Sequence, residues 1–159
     1  MNPMKDSNAS QPMTDAKILQ GALIGGAINA VINGAIQWYL MRDSTQIPLS
    51  VDAITNAEHT VLGVAVPLAV SLAMILTAIA YFTLKTAKRP FFPQVLWLTI
   101  KHGVFAFGLI VSGAVVWQRV MGTVQVSLAA AVIILGIVAG LVTVMVNIMT
   151  IRASLLTKT

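Results

Sequence analysis

Four long apolar runs, joined by short polar connections, constrain this chain more than any other feature of its sequence. They occupy residues 18–41, 60–84, 95–117 and 124–151. About 20 helical residues are needed to cross roughly 30 Å of hydrocarbon, and every run is that long. Strands of a lipid-facing barrel are about half as long and alternate polar with apolar residues; these runs do not alternate. Lipid offers the backbone no hydrogen-bond partner, so helices, which satisfy their own polar groups, remain. The expected fold class is therefore all-α, an integral membrane four-helix bundle. Composition agrees: 57% of the residues are hydrophobic and 9% charged, where a soluble domain carries about a quarter charged residues. The length suits one domain.

The basic residues give an orientation. Lys5, Lys17, Lys85, Lys88, Arg89, Arg152 and Lys158 fall on one side of the spans, and Lys101, in the first turns of the third, can snorkel to that side. Only Arg42 and Arg119 fall on the other. Positive charge is retained on the cytoplasmic face, so both termini are expected there. Residues 1–17 are polar and lack the apolar core of a secretory signal; they read as a disordered cytoplasmic tail. The transmembrane domain then covers 18–152, and residues 153–159 form a second cytoplasmic tail. Trp38 and Trp117 mark the outer interface and Trp97 the inner one.

Residues 88–93, Lys-Arg-Pro-Phe-Phe-Pro, read as a stiff inner turn, since proline ends one helix and admits the next. Residues 119–123 form a tight outer hairpin around Gly122. The long outer connection, about 42–58, contains Pro48 and Asp52, and its Leu49, Val51 and Ile54 can rest on the membrane surface. A short internal match joins residues 33–38 (Asn-Gly-Ala-Ile-Gln-Trp) to 112–117 (Ser-Gly-Ala-Val-Val-Trp). It leaves open a duplicated helical hairpin, with the same orientation twice.

The chemistry the chain can perform is narrow. It has no cysteine, which excludes disulfides, thiolate metal sites and cysteine nucleophiles. Its net charge of +5 does not point to nucleic acid, because the basic residues sit at segment ends and form no patch. Histidines 59 and 102 lie at opposite depths, about 20 Å or more apart along the helix axes, so within one subunit they cannot flank one haem iron or share a metal. No phosphate-binding loop, nucleophile elbow or zinc-helix motif is present. No enzyme activity, cofactor or metal is expected.

The remaining candidates are polar or small residues inside the apolar runs. Asn29, Asn33 and Gln37 recur every fourth residue, so they share one helix face. Carboxamides in hydrocarbon are costly without partners or water. They either join helices together or line a polar path. Gly26, Ala30 and Gly34 run beside them, and Gly136 and Gly140 repeat the device in the fourth run; such stripes let helices approach closely, within one chain or between chains. Gly63 and Pro67 predict a bend in the second helix, static or hinge-like. Glu58 and His59 stand at the outer mouth, as a proton-responsive pair or simply as residues suited to a helix start. Lys101 and His102 lie within the third run, His102 about 12 Å from its inner end. Asn147, at similar depth on the fourth, is a possible partner for His102.

The stretches 56–60 (Asn-Ala-Glu-His-Thr), 88–93, 97–103 (Trp-Leu-Thr-Ile-Lys-His-Gly) and 117–122 (Trp-Gln-Arg-Val-Met-Gly) resemble those of small bacterial four-helix membrane proteins labelled permeases. The resemblance covers about 18–152. It implies a transport role, without a mechanism. The chain lacks the intramembrane glutamate of small multidrug transporters and the motifs of small fluoride channels. The expectation is a small pore or permease for an ion or small polar solute, acting as a homo-oligomer in lipid. Asn29, Asn33, Gln37, Lys101, His102 and Asn147 would line its path. The alternative is a non-catalytic accessory or assembly subunit of a larger membrane complex, with the same residues as binding surfaces.

Overall fold

The computed structural model describes residues 15–50, 60–83 and 91–155. The elements are α1 (Asp15–Met41), β1 (Gln46–Leu49), α2 (Val61–Thr83), α3 (Leu96–Met121), β2 (Val124–Ser127) and α4 (Leu128–Leu155). All four helices are long and apolar enough to cross a membrane. Thr60 starts α2, accepting the Gly63 N–H on its hydroxyl at 3.1 Å, as a capping residue does. The helix then runs unbroken through Pro67. Before α3, Phe92 is extended (φ −99°, ψ 134°), because the ring of the following proline disfavours helical backbone in the residue before it. At the other end of α3, Gly122 takes φ +67° and donates its N–H to the Gln118 carbonyl. The missing Cβ makes that turn inexpensive.

The helices form an open row. α1 packs on α4, α4 on α2, and α2 on α3. The two end helices therefore bury one side only. On α1, Leu23, Ile28, Val31 and Leu40 are exposed, and on α3, Val104, Phe107, Val116 and Val120. Such faces suit a hydrocarbon solvent.

Small residues bring the axes together. A Cβ on Gly26 would lie 2.9 Å from the Gly140 carbonyl oxygen and 2.5 Å from a Val144 methyl. One on Gly136 would lie 3.0 Å from the Ala30 carbonyl oxygen. So the α1 stripe of Gly26, Ala30 and Gly34 faces Gly136 and Gly140 of α4 within one chain. In α2 the same role falls to Ala65, Ala69, Ala73 and Thr77, every fourth residue and at most 1% exposed. Ala131, Leu135 and Ala139 of α4 are fully buried with them.

Two features depart from the sequence reading. Residues 124–127, expected to open the fourth helix, are a strand. β2 pairs antiparallel with β1, Gln46 opposite Ser127 and Leu49 opposite Val124. Leu49 does not lie on a membrane surface; with Ile47 it is buried in a cluster with Met41, Val61, Ala65, Ala131 and Leu135. Val51 and Ile54 lie outside the described residues. The ribbon places the end of α1 and the start of α4 at the same end of the helix axes.

Burial also recurs between the halves. Ile18, Ala22, Gly26 and Gln37 of the first half are buried, and so are Val95, Thr99, Gly103 and Ala114, each 77 positions later. Ala65, Ala69, Ala73 and Thr77 of α2 match Ala131, Leu135, Ala139 and Thr143 of α4, each 66 positions later. Thr77 and Thr143 donate to the Ala73 and Ala139 carbonyls, both at 2.7 Å. The short sequence match is out of phase with this pattern by two residues: it aligns buried Gly34 with exposed Gly113.

Candidate functional site

Polar residues within the helices gather in two seams. In the α2–α3 seam, His102 is 3% exposed. Its Nδ1 lies 2.8 Å from the Thr77 hydroxyl oxygen. That hydroxyl has one proton, and it is directed at the Ala73 carbonyl. The proton between His102 and Thr77 must then come from the ring, which assigns the tautomer from the network: Nδ1–H donates, and Nε2 carries the lone pair. His102 is thus partnered by Thr77 and not by Asn147. Helix rotation explains the difference, because the groups that meet are set by which helix faces which, not by depth alone.

Lys101, one residue earlier, is rotated about 100° away and is exposed. Its ammonium lies 5.6 Å from the centre of the Trp97 ring, one turn back toward the start of α3. The long side chain lies back along the helix and ends in a cation–π contact. Lys101 and His102 therefore face different surroundings and do not form one pair.

In the α1–α4 seam, two amides converge on Gly25. Asn29 donates its Nδ2–H to the Gly25 carbonyl at 3.2 Å. Asn147 of α4 brings its Nδ2 within 3.2 Å of the position a Cβ on Gly25 would occupy. Asn33 in turn donates to the Asn29 carbonyl at 2.9 Å. Both α1 asparagines are half-buried. Gln37 is 7% exposed, and its side chain makes no hydrogen bond among the described residues. The ladder from Asn29 to Gln37 thus flanks the glycine stripe on one helix face. It does not continue to His102, since a whole seam separates them: Asn29 and Asn147 belong to one end of the row and His102 to the other.

Glu58 and His59 lie outside the described residues. Gly63 is half-buried in the first turn of α2, and Pro67 is exposed, with the Ser71 hydroxyl donating to its carbonyl at 2.7 Å.

Sequence reasoning missed Thr77 and the alanine stripe beneath it. Their signal was available: Ala65, Ala69, Ala73 and Thr77 repeat at the same four-residue spacing as the glycines. It also missed Asp15 and Arg152, which line a recess at the ends of α1 and α4.

No family model matches this chain, and no curated protein or solved structure matches it.

Proposed function

We propose that this chain is a small transport protein of the bacterial cytoplasmic membrane, a pore or permease for an ion or small polar solute, with its path between copies. The observation that carries this reading is the state of Asn29 and Asn33. A primary amide has two N–H donors and two carbonyl lone pairs. Each asparagine uses one donor, and spends it on a carbonyl of its own helix. The rest of each amide stays half-exposed, midway along α1 at the end of the row. Leaving such groups in hydrocarbon costs several kcal/mol each, by the order of magnitude for an unsatisfied polar group. Water or a second copy of α1 removes that cost.

A path through one protomer fits the packing poorly. The inner helices α2 and α4 meet through alanines and Leu135, all fully buried. A conduit at the α1 edge needs no such seam to open. The resemblance to proteins labelled permeases points the same way, and the Lys and Arg bias supports cytoplasmic termini. The burial offsets of 77 and 66 residues support a duplicated hairpin as the origin of the row.

Flux in proteoliposomes is the test. Transport of an ion or small polar solute, reduced in Asn29→Leu and Asn33→Leu, is expected. No flux for any such solute would overturn the reading. An accessory role would instead show as a stoichiometric foreign partner recovered from native membranes, with no self-association.

A further inference from the structure

The ends of α1 and α4 enclose a recess of about 220 Å³. Its walls are Asp15, Ala16, Ile18 and Leu19 of α1 and Ile148 and Arg152 of α4. The two charges face one space, yet they make no ion pair with each other; Arg42 and Asp43 form the ion pair among the described residues. Below the charges the wall is aliphatic.

The recess sits at headgroup level. α1 has 27 residues, about 40 Å at helical rise, against roughly 30 Å of hydrocarbon. Asp15 is its first residue, and Arg152 lies in the last turn of α4. Both charges therefore reach past the acyl chains, while Ile18, Leu19 and Ile148 remain beside them.

The geometry points to a binding site for a phospholipid with a phosphoethanolamine head. Such a head carries one anion and one cation, as the recess carries one cation and one anion. The Arg152 guanidinium takes the phosphate through its forked N–H donors. The Asp15 carboxylate accepts from the primary ammonium. The aliphatic wall receives the start of an acyl chain. A phosphoglycerol head offers Asp15 no cation and sets its own phosphate against a carboxylate. A choline head has no N–H to donate, and quaternary ammonium groups are recognised by aromatic cages, of which the wall has no member among the described residues. The site is independent of transport, since it requires membrane insertion alone.

Native mass spectrometry of the purified full chain tests this, with dioleoyl phosphatidylethanolamine, phosphatidylcholine and phosphatidylglycerol added in turn. Phosphatidylethanolamine is expected to be retained about tenfold better than either, the value of one additional charge-assisted hydrogen bond. Asp15→Asn should abolish its advantage over phosphatidylcholine, and Asp15→Glu should keep it. Arg152→Gln should weaken retention of all three lipids. Both positions lie outside the packed seams, so a folded helix content by circular dichroism is expected for each variant. Equal retention of the three lipids, a preference for phosphatidylglycerol, or an unchanged preference in Asp15→Asn would overturn the proposal.

Discussion

His102 on α3 and Thr77 on α2 are joined by a 2.8 Å hydrogen bond between two side chains that water barely reaches. The bond continues to the Ala73 carbonyl at 2.7 Å, so an imidazole inside an apolar seam is tied to the backbone of the neighbouring helix. Replacing Thr77 by Val removes the acceptor and strands a ring N–H, which costs about 1–3 kcal/mol. Thr77→Ser keeps the hydroxyl and should cost much less. Unfolding in mixed micelles measures both. Nitrogen NMR of labelled histidine should place the proton of His102 on Nδ1; a proton on Nε2 would reverse the assigned direction of the bond.

The glycines separate into two classes. Gly26 has no room for a Cβ and Gly140 would hold one only 3.1 Å from the Gly26 carbonyl oxygen, whereas Gly21, Gly108 and Gly113 have nothing within 4 Å of one. Gly26→Leu and Gly140→Leu should each destabilise the α1–α4 seam by about 1–3 kcal/mol or more through overpacking. Gly108→Ala and Gly113→Ala should leave stability unchanged or raise it by up to about 1 kcal/mol, since glycine is a poor helix residue. Equal sensitivity at all four positions would contradict this packing.

The ribbon allows a covalent check in a chain without cysteine. Gln46 and Ser127 are opposed across the antiparallel pair. Opposed Cα atoms there lie about 4.5–5.5 Å apart, within the disulfide range. The double variant Gln46→Cys, Ser127→Cys should form an intramolecular bridge under mild oxidant, seen as faster gel migration. Persistent free thiols would argue against the pairing.

Membrane orientation can be read with single thiols. Thr45 and Thr123 are exposed beside the ribbon, at the opposite end of the helix axes from Arg152. Thr45→Cys and Thr123→Cys should both react with an impermeant maleimide on intact cells, and Arg152→Cys only after lysis. The reverse result would place the termini outside.

The four long helices were legible because an apolar run of about 20 residues without polar alternation fits a helix and not a strand. Their ends were less so. α1 begins at Asp15 and α3 reaches Met121, because a helix continues past the apolar run until a cap or turn stops it. The strand at Val124–Ser127 was hidden by its own valines, which read equally as helix start; the alternation of Val124, Gln125, Val126 and Ser127 was the sign. The glycine stripe could be found from spacing alone, but its partner could not, and the same holds for His102. Depth along a helix follows from counting residues. Which two helices share a face depends on the order α1–α4–α2–α3, and that order is written in small residues that look alike in every span.

That order leaves the row with two unlike ends, α1 with its amides and α3 with its exposed phenylalanines. Like ends that meet are related by a twofold axis, and the contact is satisfied once two copies have joined. Unlike ends that meet repeat head to tail, and stop only where a ring of three or more copies closes. For the homo-oligomer proposed above, the stoichiometry in lipid therefore identifies the contact: a strict dimer pairs identical edges, and any cyclic trimer or larger ring sets amides against aromatics.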